Sequence, residues 1–389
     1  MLGEDKDFAR NEIQETLKLC NFCIRILGLS FIDDVPKTLY EGVMTNVTLV
    51  MTSTMLDLML AGEIAYVAGQ MIHSASVEEF VGSYLQIVGY GTMSFGKLIT
   101  IWYKRHTFRQ LVVELAEIWP VTIRDKEGVE MKRNSLSFNV LVSVNCTGIL
   151  RGIPTALGYV WQMAYPFDKT KPVIHGLVYV FETCSGCISV CCMLGSDLLF
   201  MTMASHISML LRLLQDQIRH LGTIESEYSL RSGSNDCYKD IVEVVKIHQR
   251  LIRYINDLED AFSVVNLINV LLSSVNICCV MFTIVFLDSW MEMSNKFYLG
   301  AALTQMFVIC WYADDIYRAS VGVANAVYES GWYKSNTRCR RAIVNFVCRS
   351  QRPLYFTALK FRAITMMTYS SFTNSIYTII LKVFECICG

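Results

Sequence analysis

The sequence predicts an all-α polytopic membrane protein with seven transmembrane helices, a cytoplasmic N-terminus and an extracellular C-terminus. Three observations carry that expectation. Hydrophobic residues make up 53% of the chain and charged residues only 18%, against about 25% charge in an ordinary soluble domain. The apolar residues gather in stretches of about 20 or more, the length that crosses a hydrocarbon core. Lysine and arginine fall almost wholly into alternate intervals between those stretches. The net charge of −1 removes any general electrostatic case for nucleic acid as a partner. Most of the 15 cysteines sit inside apolar runs and read as small buried hydrophobes rather than a disulfide scaffold.

In chain order, the opening MLGEDKDFARNE is too charged for a signal peptide. Residues 1–43 therefore read as a cytoplasmic segment with an amphipathic helix. Spans follow at Met44–Val67, Phe80–Tyr103, Ser135–Trp161 and Val173–Met203, within residues 44–203. Two more, Phe262–Leu287 and Tyr298–Ala319, occupy residues 262–319, and the seventh, Phe361–Glu385, lies in residues 361–389. The four intervals assigned to the inside hold 5, 7, 7 and 9 basic residues, whereas the other intervals hold only Lys169, Lys171 and Lys296. That asymmetry sets the orientation. It places the C-terminus outside, so the loosely prenylation-like Cys386-Ile-Cys-Gly would not be lipidated. The sequons at Asn46 and Asn145 fall in or beside spans and are not expected to carry glycan.

Between spans four and five, Ile207, Leu210, Leu211, Leu214, Ile218 and Leu221 recur at helical spacing, as do Ile241, Val244, Ile247, Leu251, Ile255 and Leu258. Spans four and five are thus expected to continue as helices through residues 204–261, with a flexible bridge at Glu225–Asp236. A further amphipathic piece lies at Ala319–Phe356, in the 320–360 interval. Apolar stripes outside the bilayer need burial, which points to a cytoplasmic assembly platform or to a self-contained intracellular bundle.

From Gln305 onward the chain resembles the insect odorant receptor family. The residues that carry the likeness are Cys310, Ser320, Ala326, Tyr328, Trp332, Tyr333, Pro353, Leu354, Thr357 and Ala358. His248-Gln249, Leu258-Glu259 and Phe262-Ser263 are similar to the approach to the family's fifth span, and Tyr165-Pro166-Phe167-Asp168 to its second outer loop. Ala313-Asp314-Asp315 replaces a Gly-Asn-Glu-like turn, and Ile376 to Lys382 replaces the usual Ser-Tyr-Ser-Tyr-Phe-Thr-Leu. The divergent tail is similar to a tuning receptor rather than the shared co-receptor. The resemblance implies a subunit of an odorant-gated, non-selective cation channel in the plasma membrane of an olfactory neuron dendrite. It implies assembly with the co-receptor in a heterotetramer, a small volatile odorant as ligand, membrane lipid as surroundings, and a pore lined by span seven. No cofactor, metal or enzymatic activity is implied.

On span seven, Ser371, Ser375, Thr378, Lys382 and Glu385 are three and four residues apart and share one helical face. A polar stripe on a spanning helix serves either as glue between helices or as the wall of an aqueous conduit. Lys382 lies near the outer mouth, where it either faces the pore and opposes cations or snorkels to headgroups. If it faces the pore, few copies of this subunit are expected per channel. Arg151 in span three and Glu182 in span four both lie roughly 13 Å deep at about 1.5 Å per residue, so an intramembrane pair is the economical expectation. Asp57 competes as a partner.

Under the resemblance, the odorant cavity lies in the outer half of the bundle. An apolar cavity with one or two polar atoms suits a volatile ligand. The candidates are Tyr84, Ile87 and Val88 in span two, Ile149, Ile153 and Leu157 in span three, Tyr179 and Thr183 in span four, and Leu303, Gln305 and Met306 in span six. Cys20-x-x-Cys23 and Cys184-x-x-Cys187 have metal-like spacing but no second ligand pair. A seven-span receptor acting through G proteins would carry Asp-Arg-Tyr and Asn-Pro-x-x-Tyr, and neither occurs. A transporter would favour an internal repeat, and none is evident.

Overall fold

The structure, a computed structural model, describes residues 10–29, 39–72, 85–119, 163–167, 172–228, 235–286 and 294–388. Span three falls outside them.

Residues 10–16 are helical and lead into α1 (Lys18–Ile26). The inward face of residues 10–27 buries Ile13, Leu17, Cys20, Ile24 and Leu27. Gly28 ends the helix with φ 75°, where an added Cβ would lie 2.3 Å from Leu49 N. The Gly28 N–H reaches Arg25 O and the Leu29 N–H reaches Ile24 O. This is a Schellman closure, and the buried Ile24 and Leu29 supply its apolar contact.

α2 (Leu39–Ile72) carries span one. α3 (Leu85–Tyr103) carries span two and stops one residue before α4 (Arg105–Ile118). α4 is an amphipathic helix inside a stretch expected only to be basic, and it buries Phe108, Leu111, Val112 and Leu115. α5 (Pro172–Tyr228) and α6 (Asn235–Phe286) are single helices of 57 and 52 residues. At about 1.5 Å per residue each is roughly 80 Å long, well over twice a bilayer core, so both project far beyond it. The expected bridge at 225–236 is shorter than its sequence suggests, because helix runs to Tyr228 and resumes at Asn235. By length and composition alone, three described helices can cross a membrane, over Tyr40–Gly69, Val173–His220 and Tyr238–Ile284.

α7 (Ser294–Glu329) packs along α5 and continues past span six. The amphipathic piece expected at 319–356 is broken in two. After α7 comes a 3₁₀ turn at Trp332–Lys334, and then α8 (Thr337–Ser350), which buries Cys339, Ile343 and Phe346. Span seven begins five residues later than its apolar run suggests. Strands β1 (Thr357–Ala358) and β2 (Arg362–Ala363) pair antiparallel ahead of α9 (Met366–Cys388). The hairpin turn puts Leu359 and Lys360 at φ 46° and 62°, a left-handed conformation that costs about 1–2 kcal/mol per non-glycine residue. The Lys360 N–H bond to Thr357 Oγ1 at 3.1 Å and the Phe361 N–H bond to Ala358 O at 3.0 Å help hold it.

The interior has an aromatic cluster and a polar knot. Phe108 and Phe262 centroids are 4.9 Å apart, and Phe200 lies 5.2 Å from both Phe262 and Phe356. The cluster joins α4, α5, α6 and the approach to α9. In the knot, Asp197 of α5 accepts from Lys97 Nζ of α3 at 2.8 Å, Asn269 Nδ2 of α6 at 3.2 Å and Gln305 Nε2 of α7 at 2.5 Å. Lys97 is 0% exposed and Asp197 5%. Nearby, the Ser189 hydroxyl donates to Ser94 Oγ at 2.5 Å and Cys192 Sγ to Ser94 O at 3.0 Å, further binding α5 to α3.

Where α6 meets α8, the buried His248 lies edge-on to Phe346 at 5.1 Å. Burial, with Arg349 nearby, pulls its imidazole down to about 4.

Two outcomes are expected. Asp197→Ala strands the Lys97 ammonium and lowers stability by about 3 kcal/mol, whereas Lys97→Met with Asp197→Leu recovers most of the loss; melting of the detergent-solubilised protein, followed by size-exclusion monodispersity, measures both. For His248, the unfolded imidazole takes a proton near pH 6.5, while the folded one resists until about 4. The folded state therefore binds fewer protons in that window, and stability complete above pH 6.5 is lost as pH falls towards 4. His248→Leu should flatten this slope in melts between pH 4 and 7.

Candidate functional site

Two regions carry the chemistry: the exposed face of α9, and the polar lining of the bundle around α3, α5 and α7.

On α9, Ser371, Ser375, Thr378 and Lys382 are all exposed, while Ile376 on the other side is buried. The four line one open groove of about 710 Å³ with Met367, Ser370 and Asn374. Ser370 and Asn374 therefore belong to the same polar face as the residues expected there. Glu385 lies on the same helix, in its last turn. Ser375 Oγ donates to Ser371 O and Thr378 Oγ1 to Asn374 O, both at 2.8 Å. These back-bonds satisfy the hydroxyl protons within the helix and leave oxygen lone pairs facing the groove. Such a surface can solvate a passing cation, and Lys382 adds one fixed positive charge to it.

The start of α9 is held from several directions. Thr365 Oγ1 caps the Thr368 N–H at 3.3 Å, and Asp314 Oδ1 of α7 takes the Met366 N–H at 3.3 Å. Phe307 of α7 meets Tyr369 at 5.6 Å in a T-shaped contact. Upstream, Ser320 Oγ accepts the Leu354 N–H at 3.0 Å, and the Thr357 hydroxyl donates to Glu259 of α6.

Of the candidate ligand contacts, Tyr84, Ile149, Ile153 and Leu157 lie outside the described residues, as does Arg151. Ile87 falls in the first turn of α3. Val88, Tyr179, Thr183, Leu303 and Gln305 are half-buried, and Met306 is buried. Thr183 Oγ1 is turned to its own helix, on Tyr179 O at 2.8 Å. Gln305 is committed to Asp197 rather than free to greet a ligand. Glu182 is buried and accepts the Tyr165 hydroxyl at 3.0 Å. That tyrosine belongs to the 163–167 strap, which lies along α2 through the Ala164 N–H bond to Gly62 O at 3.1 Å. Asp57, the rival partner for Arg151, is exposed on α2.

Glu63, one residue beyond that contact, was not anticipated. It is 0% exposed, and both carboxylate oxygens lack a hydrogen-bond partner among the described residues. It fits because Gly91 of α3 has no side chain there; a Cβ would lie 2.6 Å from Glu63 Oε2. Cys20 and Cys23 lie on the buried face of α1, with Cys20 Sγ on Gly195 O at 3.2 Å. Cys184 and Cys187 are exposed on α5.

With this geometry in place, the comparisons with known proteins are specific. The family model described as 7tm Odorant receptor matches residues 77–377. The chain belongs to the odorant receptor family, a family of seven-span receptors rather than enzymes. It is similar to Odorant receptor 85c of Drosophila melanogaster, 26% identical over 81% of this chain and 83% of that protein. It is also similar to Odorant receptor 13a of the same species, 24% identical over 76% and 78%, and to Odorant receptor Or2 of Anopheles gambiae, 23% identical over 43% and 44%. Among solved structures, the olfactory receptor OR5 of Machilis hrabei in complex with eugenol superposes with a TM-score of 0.80, at 15% identity, covering 97% of this chain and 99% of that one. That likeness establishes the shared fold.

Tyr165→Phe removes the hydroxyl from Glu182 and should lower stability by about 1 kcal/mol with little change in volume; the melting temperature of the purified protein checks it, and an unchanged melt would detach the strap from α5.

Proposed function

We propose that the chain is the tuning subunit of a ligand-gated, non-selective cation channel. A volatile small molecule binds within the transmembrane bundle and favours the conformation in which a central pore, lined by α9 of each subunit, is dilated. The observation that carries this reading is the exposed polar face of α9. A helix of 23 residues, long enough to span a bilayer, presents Ser370, Ser371, Asn374, Ser375, Thr378 and Lys382 to a groove instead of to its own bundle. Polar groups at membrane depth belong against protein or water, not lipid. A closed ring of subunits supplies both.

The basic asymmetry of the sequence supports an N-terminus in the cytoplasm and a C-terminus outside. The extensions of α5, α6 and α7, with α8, then form the assembly platform on the cytoplasmic side. Partner subunits are co-receptor chains in a heterotetramer at the plasma membrane of the olfactory dendrite. Four copies of Lys382 converging at one mouth would oppose cation passage, which favours few copies of this chain per channel. The complex of the Machilis receptor with eugenol supports a small, largely apolar volatile as the class of ligand.

The test is co-expression with and without the co-receptor, recording currents evoked by a panel of volatiles that includes eugenol while G-protein signalling is blocked. Current that needs the co-receptor and survives the block is expected; current abolished by the block would replace the channel with a metabotropic receptor. Within the responding complex, Lys382→Ala should reduce rectification and raise inward cation current, and an unchanged current–voltage curve would remove Lys382 from the pore.

A further inference from the structure

A helix leaves its first N–H groups without intrahelical partners. In α9 the local cap, Thr365 Oγ1, takes only the Thr368 N–H. The Met366 N–H is taken by Asp314, a residue of α7 lying 52 positions earlier. The carboxylate is held to that task. It is nearly buried, its side chain 9% exposed, and Arg318 one turn on donates Nε to its other oxygen at 2.6 Å. Negative charge at a helix N-terminus is also favourable to the helix dipole. A second contact joins the same two helices, Phe307 against Tyr369 at 5.6 Å. Phe307 and Asp314 are seven residues apart, two turns along one face of α7. Two attachment points at different heights fix the tilt of α9 as well as its position. The same α7 carries Gln305, which is bonded to Asp197 in the interior knot.

We propose that Asp314 is a positioning residue for gating: it tethers the first backbone N–H of α9 to α7, so that displacement of α7 is passed to the pore-lining helix. The inference rests on the reading of α9 as the pore wall. The ordinary role for Asp314 is an i,i+4 pair with the exposed Arg318, which contributes little. The two roles separate by experiment.

The variants are made in the full chain, co-expressed with the co-receptor, and probed with the strongest activator from the volatile panel. Asp314→Ala removes the acceptor. Met366→Pro removes the donor at the first helical position, where proline is tolerated. Each should raise the half-maximal concentration about fivefold at unchanged surface level. The double variant should match either single, because both delete one bond. Asp314→Asn keeps a carbonyl oxygen for the Met366 N–H and should stay near wild type, and Arg318→Ala, which leaves the acceptor in place, should shift less than either single. Unchanged half-maximal concentrations in both singles, or singles whose effects multiply, would overturn the tether. So would a shift in Arg318→Ala as large as that in Asp314→Ala.

Hydrogen–deuterium exchange on the purified protein in lipid nanodiscs gives a reading that needs no activator and no surface delivery. Exchange across residues 366–378 should rise in Asp314→Ala and Met366→Pro and stay fixed across α8; equal exchange in all three proteins sinks the proposal. Lys382→Ala, run alongside, keeps the two levels apart. If its current–voltage curve is unchanged while the Asp314 and Met366 variants still shift, the tether stands while the assignment of the Lys382 face of α9 to the pore falls. The opposite result removes the tether and leaves the pore.

Discussion

The bundle is organised around the Asp197 carboxylate. In a bilayer there is no hydrophobic gain from bringing helices together, since lipid tails are as apolar as leucine. Helices that must meet in one register need packing detail or a polar group that cannot be left alone. Asp197 is such a group. It sits on α5 and gathers donors from α3, α6 and α7, with Lys97 wholly buried beside it. Separating any of these helices exposes a charge or an amide to hydrocarbon, which is expensive. The knot therefore specifies which helices are neighbours and at what height. The serine contact between Ser94 and Ser189 and the phenylalanine cluster of α4, α5 and α6 then pack around a fixed register.

The lengths of α5, α6 and α7 follow from the same arrangement. Each continues without interruption past the knot, to Tyr228 in α5, back to Asn235 in α6 and to Glu329 in α7. A continuous helix carries position along its axis, so the extension inherits the register set in the membrane. α9 is different. It is joined to the rest by a few side-chain contacts on α6 and α7 and by a strained hairpin, and it leaves one long face open. The helix with the continuous polar face is thus held to its own chain by few contacts.

Much of this is legible in the sequence, and the failures have identifiable causes. Helical periodicity finds the extensions of α5 and α6 because it is local, and spacings of three and four find the polar face of α9 for the same reason. α4 carried a usable signal in Phe108, Leu111, Val112 and Leu115, masked by its basic neighbours. The knot was open to the depth argument applied to Arg151 and Glu182. Lys97 and Asp197 each lie six residues inside the same end of their spans, Tyr103 and Met203, and the structure joins them. Tyr165 as a partner of Glu182 has no such signal, since a hydroxyl in a loop carries no depth. The hairpin before α9 was hidden because its left-handed turn uses Leu359 and Lys360, where glycine or asparagine would have announced it.

The open face of α9 also bears on the life of the chain before assembly. A solitary copy in the endoplasmic reticulum would hold Asn374, several hydroxyls and Lys382 against acyl chains, a state that lateral association alone can relieve. Orphaned polar spans of this kind are what membrane quality control recognises. On the proposed reading of α9 as a pore wall, the helix that lines the groove would double as a retention signal, erased when partner subunits cover it, and the supply of those partners would set how much of the chain reaches the cell surface.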